Sequence, residues 1–160
     1  VGMATGAVAG LVGITPAAGF VSPASGMLIG AITSSLCYIS VKVKIKLSFD
    51  DSLDTFAVHG VGGTVGAILT GFFAKAELIS SHPAGLVLAE QGRIGLVLGQ
   101  FQAVLIAYGI AAFGTFLIAL LLKSLGFNYR VDKTKEDAGL DISEHGEEAY
   151  VERTGSPNVI

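Results

Sequence analysis

"DDSLDTFAVHGVGGTVGAILTG", residues 50–71, decides how the rest of the chain is read. Two aspartates open it, His59 stands two turns in, and Gly60, Gly62, Gly63, Gly66 and Gly71 follow. Between Asp54 and Lys75 there is no Lys, Arg, Asp or Glu. A neutral, apolar run of this kind reads as a helix crossing a bilayer, whose ~30 Å core takes about 20 residues. The question it raises is why such a helix carries an imidazole.

The surrounding chain has the same character. Of its 160 residues 51% are hydrophobic and only 14% charged, and the mean hydropathy is +0.67, which excludes an ordinary soluble domain. Residues 1–41 contain no charged residue and no histidine, whereas most carboxylates fall in 130–153. The net charge of −3 therefore averages two environments and carries no information about partners. The chain is expected to be all-α, a polytopic membrane helix bundle, with a transmembrane region over 1–126 and a solvent-exposed tail over 127–160. Spans are expected at about 2–20, 23–41, 51–73 and 93–125. No span alternates with period two, which argues against a barrel; "VKVKIK" (41–46) reads as a loop beyond the second span. At 1.5 Å per residue the fourth stretch measures roughly 50 Å, so it must tilt or project.

Lys42, Lys44 and Lys46 lie between the second and third spans, and Lys123, Arg130, Lys133 and Lys135 at and after the end of the fourth. The intervening loop balances Lys75 and Arg93 with Glu77 and Glu90. The positive-inside rule then puts the lysine loop and the C-terminal tail in the cytoplasm. Val1 opens inside an apolar run with no charged leader, so the sequence reads as a cut within a larger protein. Cys37 is the single cysteine, so no internal disulfide is possible. Gly2, Gly6 and Gly10, Gly26 and Gly30, Gly62 and Gly66, and Gly95 and Gly99 recur four apart. Such rows let helix backbones approach closely in lipid, where packing drives association.

Few residues can carry chemistry. Asp50, Asp51 and Asp54 begin the third span, where carboxylates accept bonds from unpaired amides and complement the helix dipole. Asp51 is the expected cap; Asp54 is open between a cap, a tie to a neighbouring helix and support for a conducting site. His59 is open between a packing role and a pathway role. Ionisable groups at this depth usually face the bundle interior or a pathway, and a neutral imidazole offers one donor and one acceptor to a small polar molecule. No ligand-type residue stands three or four positions beyond it, so no metal is expected. Thr15, in "GITPAAG", either bonds back to its own helix or lines a cavity beside the Pro16 break. His82 reads as a solvated loop residue and His145 as part of the tail. "GVGG", inside an apolar span, is not a nucleotide fingerprint.

"GAVAGLVGITPAAGFVSP" (6–23), residues 50–71 and "GLDISEHGEEAY" (139–150), in this order, resemble the ammonium transporter (Amt/MEP/Rh) family over nearly the whole chain. The resemblance implies a fold of eleven transmembrane helices assembled as a homotrimer in the cell membrane. Of this fold the chain is similar to the last four helices and the cytoplasmic tail. It implies transport of ammonium or ammonia through a narrow apolar channel lined by two histidines, with His59 matching the second. Asp51 and Asp54 match the family's acidic pair and Thr15 its threonine near the pore. Gly139, Leu140, Asp141, His145, Gly146, Glu147 and Tyr150 match the tail segment that couples subunits, near which a PII-type nitrogen regulator binds in many relatives. Neither an enzyme, a cofactor nor a nucleic-acid partner is implied. An ammonium sensor signalling through its tail is the alternative; a membrane enzyme with a histidine-bound metal is a third class, settled by metal analysis.

Overall fold

The computed structural model describes residues 2–127 and 130–147, and the described residues are almost entirely helical, with no strand among them. Contacts divide the chain into two units, Val1–Ile110 and Ala111–Ile160. The elements are α1 (Gly2–Ile14), α2 (Pro23–Lys46), α3 (Val61–Phe73), α4 (Ala76–Ile79), α5 (Pro83–Ser124) and α6 (Lys133–Ala138). A 3₁₀ turn (Thr15–Ala17) ends α1, and a π-helical turn (Phe56–Gly60) runs directly into α3.

Among the described residues, three helical stretches are long and apolar enough to cross a membrane: Pro23–Lys46, Phe56–Phe73 and Pro83–Ser124. The first apolar helix, Gly2–Ala17, is shorter. It stops where Pro16 denies the next turn its amide and Gly19 takes φ 84°, open to glycine at no steric cost. Helix α2 starts on a Ser22 cap, whose hydroxyl accepts from the Ser25 amide at 3.3 Å, with Pro23 in the first turn. It runs on to Lys46, which corrects the reading of "VKVKIK" as a loop. The lysines extend the helix because cations suit its C-terminal end, and Lys42 lies over the Tyr38 ring one turn earlier, 5.2 Å from its centre. Helix α5 begins ten residues before the expected span, but Gly92 inside it has φ 70° and ψ −168°. That conformation is reserved for glycine and puts a kink between Pro83–Gln91 and the apolar stretch from Arg93.

In the first unit α1, α2 and α3 pack against one another. Their crossing is built from absent side chains: a methyl on Gly66 would overlap the Gly13 carbonyl, and one on Gly13 would overlap the Thr33 side chain. Thr33 is fully buried there, with its hydroxyl unpaired among the described residues. Higher on the α1–α2 seam, Ser34 donates to the Gly6 carbonyl at 2.8 Å. Of the glycine rows, Gly10, Gly30, Gly62 and Gly66 lie in such contacts, whereas a methyl added at Gly2, Gly6 or Gly99 would meet nothing within 4 Å. Two small cores result, Ala9, Cys37 and Val58 with Val12, and Ala74, Ile79 and Leu96 under Phe20.

Candidate functional site

The start of the third span is organised by its aspartates. Asp51 lies before the helix, and its two carboxylate oxygens accept from the amides of Thr55 at 2.9 Å and Phe56 at 3.0 Å. Those amides have no partner inside the helix, so the carboxylate completes the first turn and sits at the positive end of the dipole. Asp54 closes the intervening turn by donating its amide to the Asp51 carbonyl at 3.2 Å, and adopts φ 56°, a region aspartate tolerates better than most residues. Its carboxylate is paired with Lys44, whose ammonium also donates to the Asp51 carbonyl. Asp54 therefore ties the entry of the third helix to the end of α2. This partner escapes the sequence reading, which sees Lys44 only as a charge in a loop.

His59 lies in the π turn. The Val61 amide reaches back to the Phe56 carbonyl, one residue farther than α-helical bonding, so one extra residue is accommodated just where the imidazole stands. Such insertions in helices concentrate at functional sites. The His59 side chain is exposed on this chain and forms no hydrogen bond with the described residues. The carbonyls on either side of it are both engaged. Cys37 of α2, buried, directs its thiol at the Val58 carbonyl at 3.8 Å. Thr64 donates to the Gly60 carbonyl at 2.7 Å, and Tyr108 of α5 lies 3.1 Å from the same oxygen and 2.8 Å from the Thr64 hydroxyl. Thr64 and Tyr108 are absent from the sequence reading, which takes Cys37 only as a lone cysteine; the signal for Tyr108 is a phenol in the middle of an apolar run.

Thr15 does not join this group. Its hydroxyl donates back to the Leu11 carbonyl at 2.7 Å, and its neighbour Pro16 lines a cavity of ≈ 80 Å³ with Thr70, His82 and Gln100. Thr70 stands eleven positions beyond His59, roughly 16 Å along a helix. His82 is exposed, as expected of a loop residue, and its ring also packs edge-on against Phe20, centres 5.2 Å apart, while its Nδ1 accepts from the Ala84 amide at 3.1 Å.

Described by itself, the second unit contains the tail motif. Gly139 (φ 94°) ends α6 and Gly146 (φ 68°) ends a second π turn, Asp141–His145, so both glycines occupy left-handed backbone that other residues resist. Asp141 accepts from the Ile142 amide at 3.0 Å, and its carbonyl accepts from the Glu147 amide at 3.0 Å. Leu140 and His145 are exposed and Tyr150 lies outside the described residues. Lys135 and Glu144 bond at 2.8 Å; this contact holds the lysine above and the glutamate below its ordinary pKa range. Among the described residues no cluster of His, Cys, Asp or Glu could hold a metal.

The sequence model of the Ammonium Transporter Family matches residues 1–150. The chain belongs to that family. Two of its relatives are named "Ammonium transporter": one from Bacillus subtilis, 41% identical over 93% of this chain, and one from Aquifex aeolicus, 45% identical over 94%. The crystal structure of Saccharomyces cerevisiae Mep2 is similar with a TM-score of 0.59 and 33% identity, over 93% of this chain and 34% of that one. The chain spans about a third of these relatives, 36% and 34% of the two bacterial proteins. Family membership and the apolar helices make it a membrane-embedded protein of a transporter family, not an enzyme family.

Proposed function

We propose that the protein containing this chain moves ammonium across the cell membrane, and that His59 lines the passage. The observation that carries this reading is the imidazole in the π turn of an otherwise apolar helix, exposed on this chain and held by neighbours on both sides. A histidine facing hydrocarbon is costly, so the face bearing His59 is read as turned toward a lumen completed by residues outside this chain. A bare ammonium ion would lose many kcal/mol of hydration there. The passenger past His59 is therefore ammonia, with deprotonation on entry and a separate return of the proton.

In this reading the chain supplies the last four of eleven helices and one histidine of a pair. Asp51 and Asp54 fix the helix that carries it, and Thr15 stands farther along the same route. The lysine-rich end of α2 and the tail face the cytoplasm, where Gly139–Tyr150 couples the subunits of a homotrimer and a PII-type regulator docks. The test is uptake of ammonium or methylammonium by the full-length protein in cells lacking their own transporters. His59→Ala is expected to alter or abolish flux at unchanged surface amount; unchanged flux and selectivity would remove the pathway role. The folded tail segment 133–147, with its Lys135–Glu144 pair, favours a sensor as the second reading. It predicts tail variants that keep uptake but lose an ammonium-dependent growth signal.

A further inference from the structure

The π turn raises a mechanical problem. Its i+5 bond leaves the helix locally wider and less well bonded, so the direction of His59 is not set by regular helical geometry alone. Something must fix it. The residue next to His59, Gly60, has its carbonyl gripped by two hydroxyls, Thr64 at 2.7 Å from its own helix and Tyr108 at 3.1 Å from α5. The hydroxyls also touch each other at 2.8 Å. Two hydroxyl protons serve three contacts, so the phenol either donates to the carbonyl directly or donates to Thr64, which passes its own proton on. Either way, removing the phenol oxygen loosens the carbonyl.

The grip is aimed because α5 is registered against α3. A methyl on Gly71 would meet the Val97 backbone at 2.9 Å, and Arg93 donates to the Gly71 carbonyl at 3.3 Å and the Ala74 carbonyl at 2.5 Å. From Gly71 back to Gly60 is eleven residues, as it is from Val97 on to Tyr108. Eleven residues are about three helical turns, so both contacts use the same antiparallel faces. A methyl on Gly60 would also sit 3.0 Å from the Phe56 ring.

We propose that Tyr108 is a positioning residue for His59: by holding the Gly60 carbonyl from the neighbouring helix it fixes the rotation of the π turn, and with it the direction of the imidazole. This rests on the transport reading above. The experiment measures methylammonium uptake by the full-length protein across pH, at matched surface amount, for Tyr108→Phe, Thr64→Val and His59→Ala. Loss of one hydrogen bond, about a factor of five, is the expected fall in maximal rate for Tyr108→Phe, together with a displaced pH profile because the imidazole changes surroundings. Thr64→Val should displace the profile in the same direction, and the double variant should be no worse than the poorer single one. A lower rate with an unmoved profile makes Tyr108 a packing residue and overturns the proposal. So does wild-type behaviour of Tyr108→Phe while His59→Ala is impaired, which leaves the transport reading standing. Wild-type uptake by His59→Ala removes the pathway role of His59 and with it this proposal, whereas no uptake by the unaltered protein sinks the transport reading itself. If Tyr108→Phe does not reach the membrane, the profile of Thr64→Val decides.

Discussion

At the scale of single residues, the polar groups of the first unit have sharply different standing. Asp51 closes two helix amides with one carboxylate, and charge-assisted caps are the stronger kind. Asp51→Ala is expected to lower stability by about 1–2 kcal/mol, measured as a lower melting temperature of the full-length protein in detergent. Thr33 is the opposite case. Its hydroxyl is buried with no partner among the described residues, at a helix crossing with no room for water. Thr33→Val keeps the shape and removes the orphan, so the same melting assay should show a gain of about 1 kcal/mol. How much of this the sequence discloses follows from distance along the chain. The Asp51 cap is legible because donor and acceptor are four or five residues apart. Lys44 is hidden because its pairing with Asp54 depends on α2 continuing to Lys46, and Tyr108 because its bond to Gly60 spans 48 positions. Of the two roles visible for Thr15 in sequence, the local one, a back-bond to the Leu11 carbonyl four residues away, is formed.

Among elements, the helices are joined by glycine contacts that differ in how far a neighbour can yield. At Gly66 a methyl would run into the Gly13 backbone, which cannot move without parting α1 from α3. At Gly10 it would meet the Ser34 hydroxyl at 3.1 Å, the end of a side chain that can turn aside. Gly66→Ala is therefore expected to cost about 3 kcal/mol or to prevent assembly, and Gly10→Ala less than about 1 kcal/mol; thermal unfolding of the two variants side by side checks the order. A four-residue spacing in the sequence locates Gly66 but not its counterpart Gly13, which belongs to no such row. Spacing describes one helix surface, whereas a crossing point is set by two. The apolar runs make an all-helical fold legible for the same reason that they hide its details. They fix which segments are helical and leave silent where α5 breaks, since one residue, Gly92, does that.

At the scale of the whole molecule, the long apolar stretch of α5 has none of its most hydrophobic window buried within this chain. Large side chains such as Ile106, Ile110 and Phe113 are exposed on it. These surfaces need lipid or further protein, and the chain covers only about a third of its relatives. Residues 1–160 expressed alone are expected to give no ammonium uptake in transporter-deficient cells; uptake by the isolated chain would overturn the shared-lumen reading. The tail answers to pH by its own rule. The lowered Glu144 pKa means its bond to Lys135 is lost only as pH falls through that depressed value, and the raised Lys135 pKa keeps it on the alkaline side until pH climbs past that value. Amide protection factors over 133–147, taken relative to the intrinsic exchange rate at each pH, should stay flat between these limits and fall outside them, and Glu144→Gln should remove the acid limb. The surplus residue beside His59 has a last consequence, for descent. Losing a single codon normally wrecks a transmembrane segment, but here a one-residue deletion within 56–60 would restore regular winding. The shortened heir would still insert and fold, with Asp51 and Asp54 swung about 100° away from Lys44. Such a lineage would inherit a sound bundle whose imidazole had lost its bearings.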